Sequence, residues 1–245
     1  TSGTGSEVTS FAVLTDSETQ IKYPLVDDAV LPDEALLTPL FVKTSPPNVT
    51  AFSGMDVLVH ALEAYVATAA NNFTDALAQQ AIELVFEYLP KCHKPTATEQ
   101  DRMSMHEASC LAGLSFNKAG LGIVHAMAHQ LGGQFHVPHG LANSMLLPYV
   151  IGFNCSRNQE VAKKYAHLSA KLGYASHKAS DGDKLGALLE AIVKLQRTLE
   201  CPMTLTEFGV DKATSEAKLN LMADRALEDM CYRFNPYPAN HDDLI

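Results

Sequence analysis

Apolar residues recur at helical spacing through most of the chain beyond residue 47. Spacings of three and four residues place them on one face of a helix. Glycines, prolines and capping residues separate the runs, so Pro90 is expected to end the second helix and Gly132 with Gly133 to end the fourth. The pattern predicts eight helices, over residues 51–68, 74–90, 98–116, 122–133, 141–154, 158–173, 183–199 and 215–231.

The first 47 residues follow a different pattern. The segments FAVLTD (11–16) and IKYPLVD (21–27) are rich in β-branched and aromatic residues and are bounded by turn residues, which is typical of short strands. The pair Pro46-Pro47 then interrupts the chain. We therefore predict a mainly α fold, in which a short β-rich segment (1–47) precedes an all-helical domain (48–245).

Composition narrows the class of protein. The chain has 245 residues, of which 47% are hydrophobic and 19% charged, as in globular domains. The net charge of −10 disfavours a nucleic-acid partner, and no apolar run has the length of a membrane span. The five cysteines form no CxxC pair, so the sequence suggests neither a disulfide framework nor a thiolate zinc site. A reducing, cytoplasmic setting is expected.

The first candidate chemistry lies in the helix after the Pro pair. Asp56 and His60 are four residues apart, so they share a helical face, and their neighbours are almost all apolar. A carboxylate in a buried helix is costly unless it is paired or coordinated. Taken alone, this segment fits a shared cation and an Asp–His hydrogen bond in the core about equally.

The stretch GIVHAMAHQLGGQFHVPHG brings four more imidazoles. His125 and His129 lie one turn apart on a predicted helix, and His139 follows a Gly-Gly stop and a proline. Together with Asp56 and His60 these residues favour a metal site over a set of core hydrogen bonds. Imidazole and carboxylate ligands without thiolate suit Fe²⁺, Zn²⁺, Mn²⁺ or Co²⁺. Spacing does not separate His125 from His129 as a ligand, and His136 is interpreted as incidental.

Several segments resemble the iron-containing (group III) alcohol dehydrogenase family, including the alcohol dehydrogenase half of bifunctional aldehyde–alcohol dehydrogenases. SGMDVLVHALEAY (53–65) is similar to the family's first metal motif, and GIVHAMAHQLGGQFHVPHGLAN (122–143) to its second signature. TSGTGSEVT with KYPLVD resembles the end of the cofactor domain, and LEDMCYRFNP the C-terminal segment. The resemblance implies the dehydroquinate-synthase-like fold, with residues 1–47 the remnant of the α/β dinucleotide-binding domain and 48–245 the helical metal-binding domain.

The resemblance also implies roles for single residues. Asp56, His60, His125 and His139 would be the metal ligands, and His129 the non-ligand catalytic histidine.

The Gly/Ser/Thr-rich N-terminal turn presents backbone N–H groups and hydroxyls suited to phosphate or ribose, although a plain tight turn has the same composition. Phe116 fits the substrate pocket and core packing equally. The implied cofactor contacts are Thr4 and Lys22, with Thr1, Ser2 and Ser6 as weaker candidates.

The expected function is hydride transfer between a small alcohol or its aldehyde and NAD or NADP, with Fe²⁺ or alternatively Zn²⁺. A homodimer or higher homo-oligomer is expected. The family's earlier glycine-rich dinucleotide loop is absent, so the chain is expected to be truncated and, by itself, inactive. The alternatives are a glycerol or polyol dehydrogenase and a metal-dependent phosphohydrolase, although the one adjacent His-Asp pair, His241-Asp242, lies in the polar tail.

Overall fold

The computed structural model describes residues 2–15, 17–18 and 22–245, and confirms a mainly helical fold. Thr1 lies outside the described residues, as do the side chains of five strand residues: Val13, Thr15, Lys22, Tyr23 and Pro24. The helices are α1 (Pro47–Val66), α2 (Asn72–Cys92), α3 (Glu99–Ala119), α4 (Ile123–Phe135), α5 (His139–Arg157), α6 (Gln159–Lys171), α7 (Asp181–Thr198), α8 (Leu205–Phe208), α9 (Lys212–Glu216) and α10 (Leu219–Glu228).

The strands are β1 (Phe11–Thr15) and β2 (Lys22–Val26), which pair antiparallel with Phe11 opposite Val26. Both lie within the segments predicted to be strands. The turn before them packs against the helices: Gly5 has a positive φ of 61°, and a Cβ there would meet the Cα of Gly113 on α3. Asn117 on α3 accepts hydrogen bonds from the backbone and hydroxyl of Ser10 at 2.9 and 3.0 Å. The N-terminal segment is therefore held against α3.

The first seven predicted helices are present with bounds that differ by a few residues, and the eighth is divided. Helix α2 continues through Pro90 to Cys92, so the last turn of this helix tolerates a proline although the ring removes the N–H that would bond the carbonyl four residues before it. Helix α4 continues past both glycines to Phe135 and ends at His136, whose φ of 54° is the left-handed conformation of a helix stop. His136 is exposed and serves as this stop. The run 215–231 is divided among the end of α9, α10 and a 3-10 turn (Met230–Phe234).

Helix α1 is the centre of the core, where it packs against α2, α3 and α5. Every residue from Met55 to Val66 is buried, including the polar residues Asp56, His60 and Glu63. An apolar helix buried on all sides is the arrangement that its sequence predicts. No helix among residues 2–15, 17–18 and 22–245 is both long and apolar enough to cross a membrane.

Two glycines allow the helices to approach α1 closely. A Cβ on Gly54 would overlap Leu89 of α2, and a Cβ on Gly140 would overlap the backbone carbonyl of Phe52. The second contact brings the first turn of α5 against the middle of α1. It therefore places His139, the first residue of α5, beside Asp56.

Candidate metal centre

Four side chains from three helices converge on one point in the core. Asp56 Oδ1 lies 3.8 Å from His60 Nε2, 3.6 Å from His125 Nε2 and 3.5 Å from His139 Nε2. One ligand atom from each residue falls within 4.8 Å of all the others. Helix α1 supplies Asp56 and His60, α4 supplies His125, and the N-terminus of α5 supplies His139. The structure brings together the four residues that the resemblance implied as ligands.

These distances suit a divalent cation. Metal–ligand bonds of about 2.1 Å in a tetrahedral shell separate the ligand atoms by about 3.4 Å, close to the spacing between Asp56 and the imidazoles. Three of the four side chains are buried and His139 is half-buried. The buried carbonyl oxygen of Asn143, next to the cluster, has no hydrogen-bond partner among the described residues. The donor set and its spacing fit a metal such as iron or zinc.

The electrostatics of the cluster without a cation favour an ionised carboxylate beside two neutral imidazoles and a protonated His125. Burial would raise the pKa of Asp56, but attraction to His60, His139 and His125 outweighs it and holds this pKa well below its usual range. Burial lowers the pKa of His60 to about 4 and that of His139 to about 3, so both are neutral at pH 7 and able to bind a metal. Burial also disfavours a charged His125, yet the carboxylates of Asp56 and Glu63 raise its pKa to about 9.

Two residues that the sequence analysis did not single out orient the cluster. Glu63, on α1, binds His125 Nδ1 through Oε2 at 2.6 Å and accepts the backbone N–H of Val124 through Oε1 at 2.7 Å. A carboxylate on the far nitrogen leaves Nε2 for the metal. The Asn143 amide donates to Asp56 Oδ1 at 2.6 Å. Glu63 was recognisable as a second carboxylate on a mostly apolar helix, two turns after Asp56, and Asn143 lies one turn after His139.

His129 lies beside the four-residue cluster but has a different partner. Its Nδ1 is 2.7 Å from Asp229 Oδ2, and its ring stacks on His139 with 5.4 Å between centroids. Burial would raise the pKa of Asp229, but the hydrogen bond with His129 lowers it overall. Asp229 follows α10, one hundred residues from His129, so no local sequence signal connects the two.

Phe116 also contacts the cluster. Its ring stacks on His60 with 4.5 Å between centroids, and only 3% of the residue is exposed. Phe11 of β1 meets it edge-on at 5.7 Å. Phe116 is therefore a core residue that packs directly on a candidate ligand.

Two of the candidate cofactor-binding hydroxyls on the N-terminal turn are exposed to solvent. Thr4 and Ser6 are exposed, and their hydroxyls lie 3.1 Å apart. The Ser2 hydroxyl is instead paired with His106 Nδ1 at 3.0 Å. A Cβ on Gly3 would meet Ser53, less than a turn before Asp56 on α1, so this turn adjoins the helix of the metal cluster. The remaining cofactor candidates, Thr1 and the side chain of Lys22, lie outside the described residues.

Two family models match the chain. One, described as "Fe-containing alcohol dehydrogenase family, C-terminal", matches residues 50–245, and another, described as "Iron-containing alcohol dehydrogenase", matches residues 1–39. The chain belongs to the iron-containing alcohol dehydrogenase family. This confirms the resemblance found in the sequence.

Relatives within the iron-containing alcohol dehydrogenase family are longer than this chain. The 1-propanol dehydrogenase PduQ of Salmonella typhimurium is 47% identical over 240 residues, which are 98% of this chain and 65% of that protein. The bifunctional aldehyde-alcohol dehydrogenase AdhE of Escherichia coli is 39% identical over 97% of this chain, which spans 28% of AdhE. The iron-containing alcohol dehydrogenase of Thermococcus thioreducens is 36% identical, with a TM-score of 0.89, over all of this chain and 60% of that structure.

Proposed function

We propose that the chain carries the metal-binding part of an NAD(P)-dependent alcohol dehydrogenase, which interconverts a small primary alcohol and its aldehyde. The observation that carries this proposal is the convergence of Asp56, His60, His125 and His139 in a member of the iron-containing family. The relatives named for 1-propanol and aldehyde-alcohol dehydrogenation support the reaction class.

We assign the metal to these four side chains, with Fe²⁺ as the expected ion and Zn²⁺ as the alternative that the ligands also accept. The bound cation would act as a Lewis acid on the substrate oxygen, and the nicotinamide would exchange the hydride. Asp56 and the three imidazoles would hold the ion, while Glu63 orients His125 and Asn143 orients the Asp56 carboxylate. His129, next to His139, is positioned to receive the hydroxyl proton.

We propose residues 1–47 as the last part of the dinucleotide-binding domain and 48–245 as the metal-binding domain. Exposed hydroxyls on a turn against α1 and α3 suit contact with a cofactor that reaches the metal cluster. Thr4 and Ser6 are the stronger candidates among the described residues, because Ser2 is paired with His106. Thr1 and Lys22 stay as proposed NAD or NADP contacts.

Assembly and location follow from the same expectation. We propose a cytoplasmic homodimer or higher homo-oligomer, which light scattering after gel filtration would measure. Glycerol or another polyol is the second substrate class within the family. The phosphohydrolase alternative is not favoured, since the relatives are named as alcohol dehydrogenases and Asp242 of the single His-Asp pair is fully solvent-exposed.

The test has two parts. The chain is purified anaerobically with Fe²⁺, and bound metal is measured by elemental analysis beside Asp56→Ala and His125→Ala. The full-length gene product is then assayed for NADH and NADPH formation with 1-propanol, ethanol and glycerol, and for hydrolysis of a phosphoester. One ion per wild-type chain and alcohol oxidation are expected. A folded wild-type chain without metal, or phosphoester hydrolysis without oxidation, would refute the proposal.

A further inference from the structure

A second group of metal-binding side chains lies beside the first. His129, Asp229 and Cys231 each bring one ligand atom within 4.8 Å of the others. Two neighbouring ligands of one cation are separated by about 3 Å or more when the bonds are about 2.1 Å. The 2.7 Å between His129 Nδ1 and Asp229 Oδ2 is shorter and is the distance of a charge-assisted hydrogen bond. The group is therefore better explained as a hydrogen-bonded pair than as a second metal site.

Asp229 is itself held in place. It caps the 3-10 turn Met230–Phe234, where its Oδ1 accepts the backbone N–H of Cys231 at 2.9 Å. Its other oxygen is left for His129, and both side chains are at most 5% exposed. A buried carboxylate that is fixed by a backbone hydrogen bond has one orientation, and it thereby fixes the orientation of the His129 ring.

The histidine of this pair faces the metal cluster. The His129 ring lies nearly parallel to that of His139, at an interplanar angle of 15°, and meets His125 edge-on at 6.2 Å. His129 Nδ1 is bound to Asp229. The other ring nitrogen, Nε2, makes no hydrogen bond within the described part of the chain. A neutral imidazole has one N–H, so a carboxylate acceptor on Nδ1 keeps the hydrogen there and leaves Nε2 as the acceptor.

We propose that Asp229 is a positioning residue, which holds His129 in the Nδ1–H tautomer so that Nε2 accepts the substrate's hydroxyl proton. This inference rests on the proposed function. In alcohol oxidation the O–H bond breaks and its proton forms the Nε2–H bond, while the carbinol C–H electron pair leaves as hydride to NAD(P)⁺. In the reverse direction the same Nε2–H returns the proton to the product oxygen. Asp229 acts on the reacting proton only through His129, and its carboxylate stabilises the imidazolium that forms.

The test reads the tautomer directly. The ring nitrogens of His129 are observed by ¹⁵N NMR in the metal-loaded chain, with Zn²⁺ as the diamagnetic ion, at alkaline pH. Wild type is expected to show the Nδ1–H form. Asp229→Asn places an amide of the same shape against Nδ1, so the Nε2–H form is expected to gain population. Asp229→Glu retains a carboxylate and is expected to keep the Nδ1–H form.

Kinetics of the full-length gene product provide the second readout. Asp229→Asn is expected to lower kcat by between about 10-fold and about 10⁴-fold, the range seen when a carboxylate that orients an active-site histidine is replaced, with less change in KM. Metal content should stay at one ion per chain, and Asp229→Glu should recover part of kcat. Glu63→Gln is the matched control, since it alters the other carboxylate–histidine pair and should leave the His129 tautomer unchanged.

Three results would overturn the inference. One is an Nε2–H tautomer in the wild-type chain, and another is an unchanged tautomer in Asp229→Asn. The third is a second bound ion that both Asp229→Asn and Cys231→Ser remove, which would establish the metal interpretation. The tautomer is measured without substrate, so failure of the proposed function would appear separately, as a correct tautomer in a protein that oxidises no alcohol.

Discussion

His125 and His129 lie one turn apart on α4, and each has a buried carboxylate on Nδ1. The partner of His125 is Glu63, from the same helix as Asp56 and His60, at 2.6 Å. The partner of His129 is Asp229, from the turn after α10, at 2.7 Å. His125 Nε2 lies 3.6 Å from Asp56, whereas His129 stacks beside the cluster without joining it.

The two carboxylate–histidine pairs therefore have the same local chemistry, but the second ring nitrogen of each histidine has different surroundings. A carboxylate fixes the ring and leaves the opposite nitrogen free for other chemistry. In the pair from α1, that nitrogen meets three other candidate ligands. In the pair from the C-terminal turn, we propose that it meets the substrate. The four predictions that follow separate these roles, from the largest expected effect to the smallest.

Removing a ligand should have the largest effect. His125→Ala and Asp56→Ala are expected to lower bound metal from about one ion per chain to near zero. A coordination shell that lacks one protein ligand binds the ion too weakly to retain it during purification. His129→Ala is the comparison variant and should keep its ion. Elemental analysis after gel filtration measures all three. Loss of metal in His129→Ala would show that both histidines are ligands.

Weakening the Glu63 pair should have a smaller effect. In Glu63→Gln the side chain still accepts the Val124 N–H, but it no longer bears the negative charge that faces His125. Metal affinity is expected to fall about 10- to 100-fold, the usual cost of losing a partner of a ligand. Competition with a chelator measures it, and Asp229→Asn should stay within about threefold of wild type. Equal losses in the two variants would contradict the division of roles.

Moving α5 away from α1 should weaken the metal cluster and leave the Asp229–His129 pair unchanged. Gly140→Ala places a methyl group against the Phe52 carbonyl, so stability is expected to fall by about 1–3 kcal/mol. Metal affinity should fall as well, because His139 starts that helix, while the His129 tautomer should not change. Gly152→Ala is the control on the same helix, since its Cβ meets nothing within 4 Å. Chemical denaturation of both variants would test this, and equal destabilisation would argue against the close approach.

Lowering the pH should produce the smallest of the four effects, a change in the free energy of unfolding. The pKa of Asp229 is lowered by its bond to His129, so its contribution to folding is present above the unfolded pKa, about 3.8. That contribution is lost as the pH falls through the lower pKa of the folded state. The free energy of unfolding of wild type should therefore fall toward that of Asp229→Asn as the pH drops below about 4. Parallel pH profiles of the two proteins would indicate that Asp229 is not paired in solution.

Local pattern determined much of the fold. Apolar spacing after Pro47 identified the long helices, and β-branched segments identified the strand pair, because both signals arise from neighbours along the chain. The ends were less predictable. Pro90 and the pair Gly132-Gly133 do not stop their helices, and His136 does, since tertiary packing can override the local preferences of single residues.

The candidate site, like the fold, was only partly predictable from the sequence. The sequence by itself identified Asp56 with His60 as partners on one helical face, marked the histidine-rich stretch as a metal candidate and carried the family's motifs. Spacing did not distinguish the two histidines of α4, because both share one apolar face, and only the resemblance to the family implied different roles for them. The tertiary structure gives them different partners, Glu63 and Asp56 for His125 and Asp229 for His129. Partners distant in the chain leave no periodic signal, so their roles are set by the packing of α1, α4 and α5 and by the turn after α10.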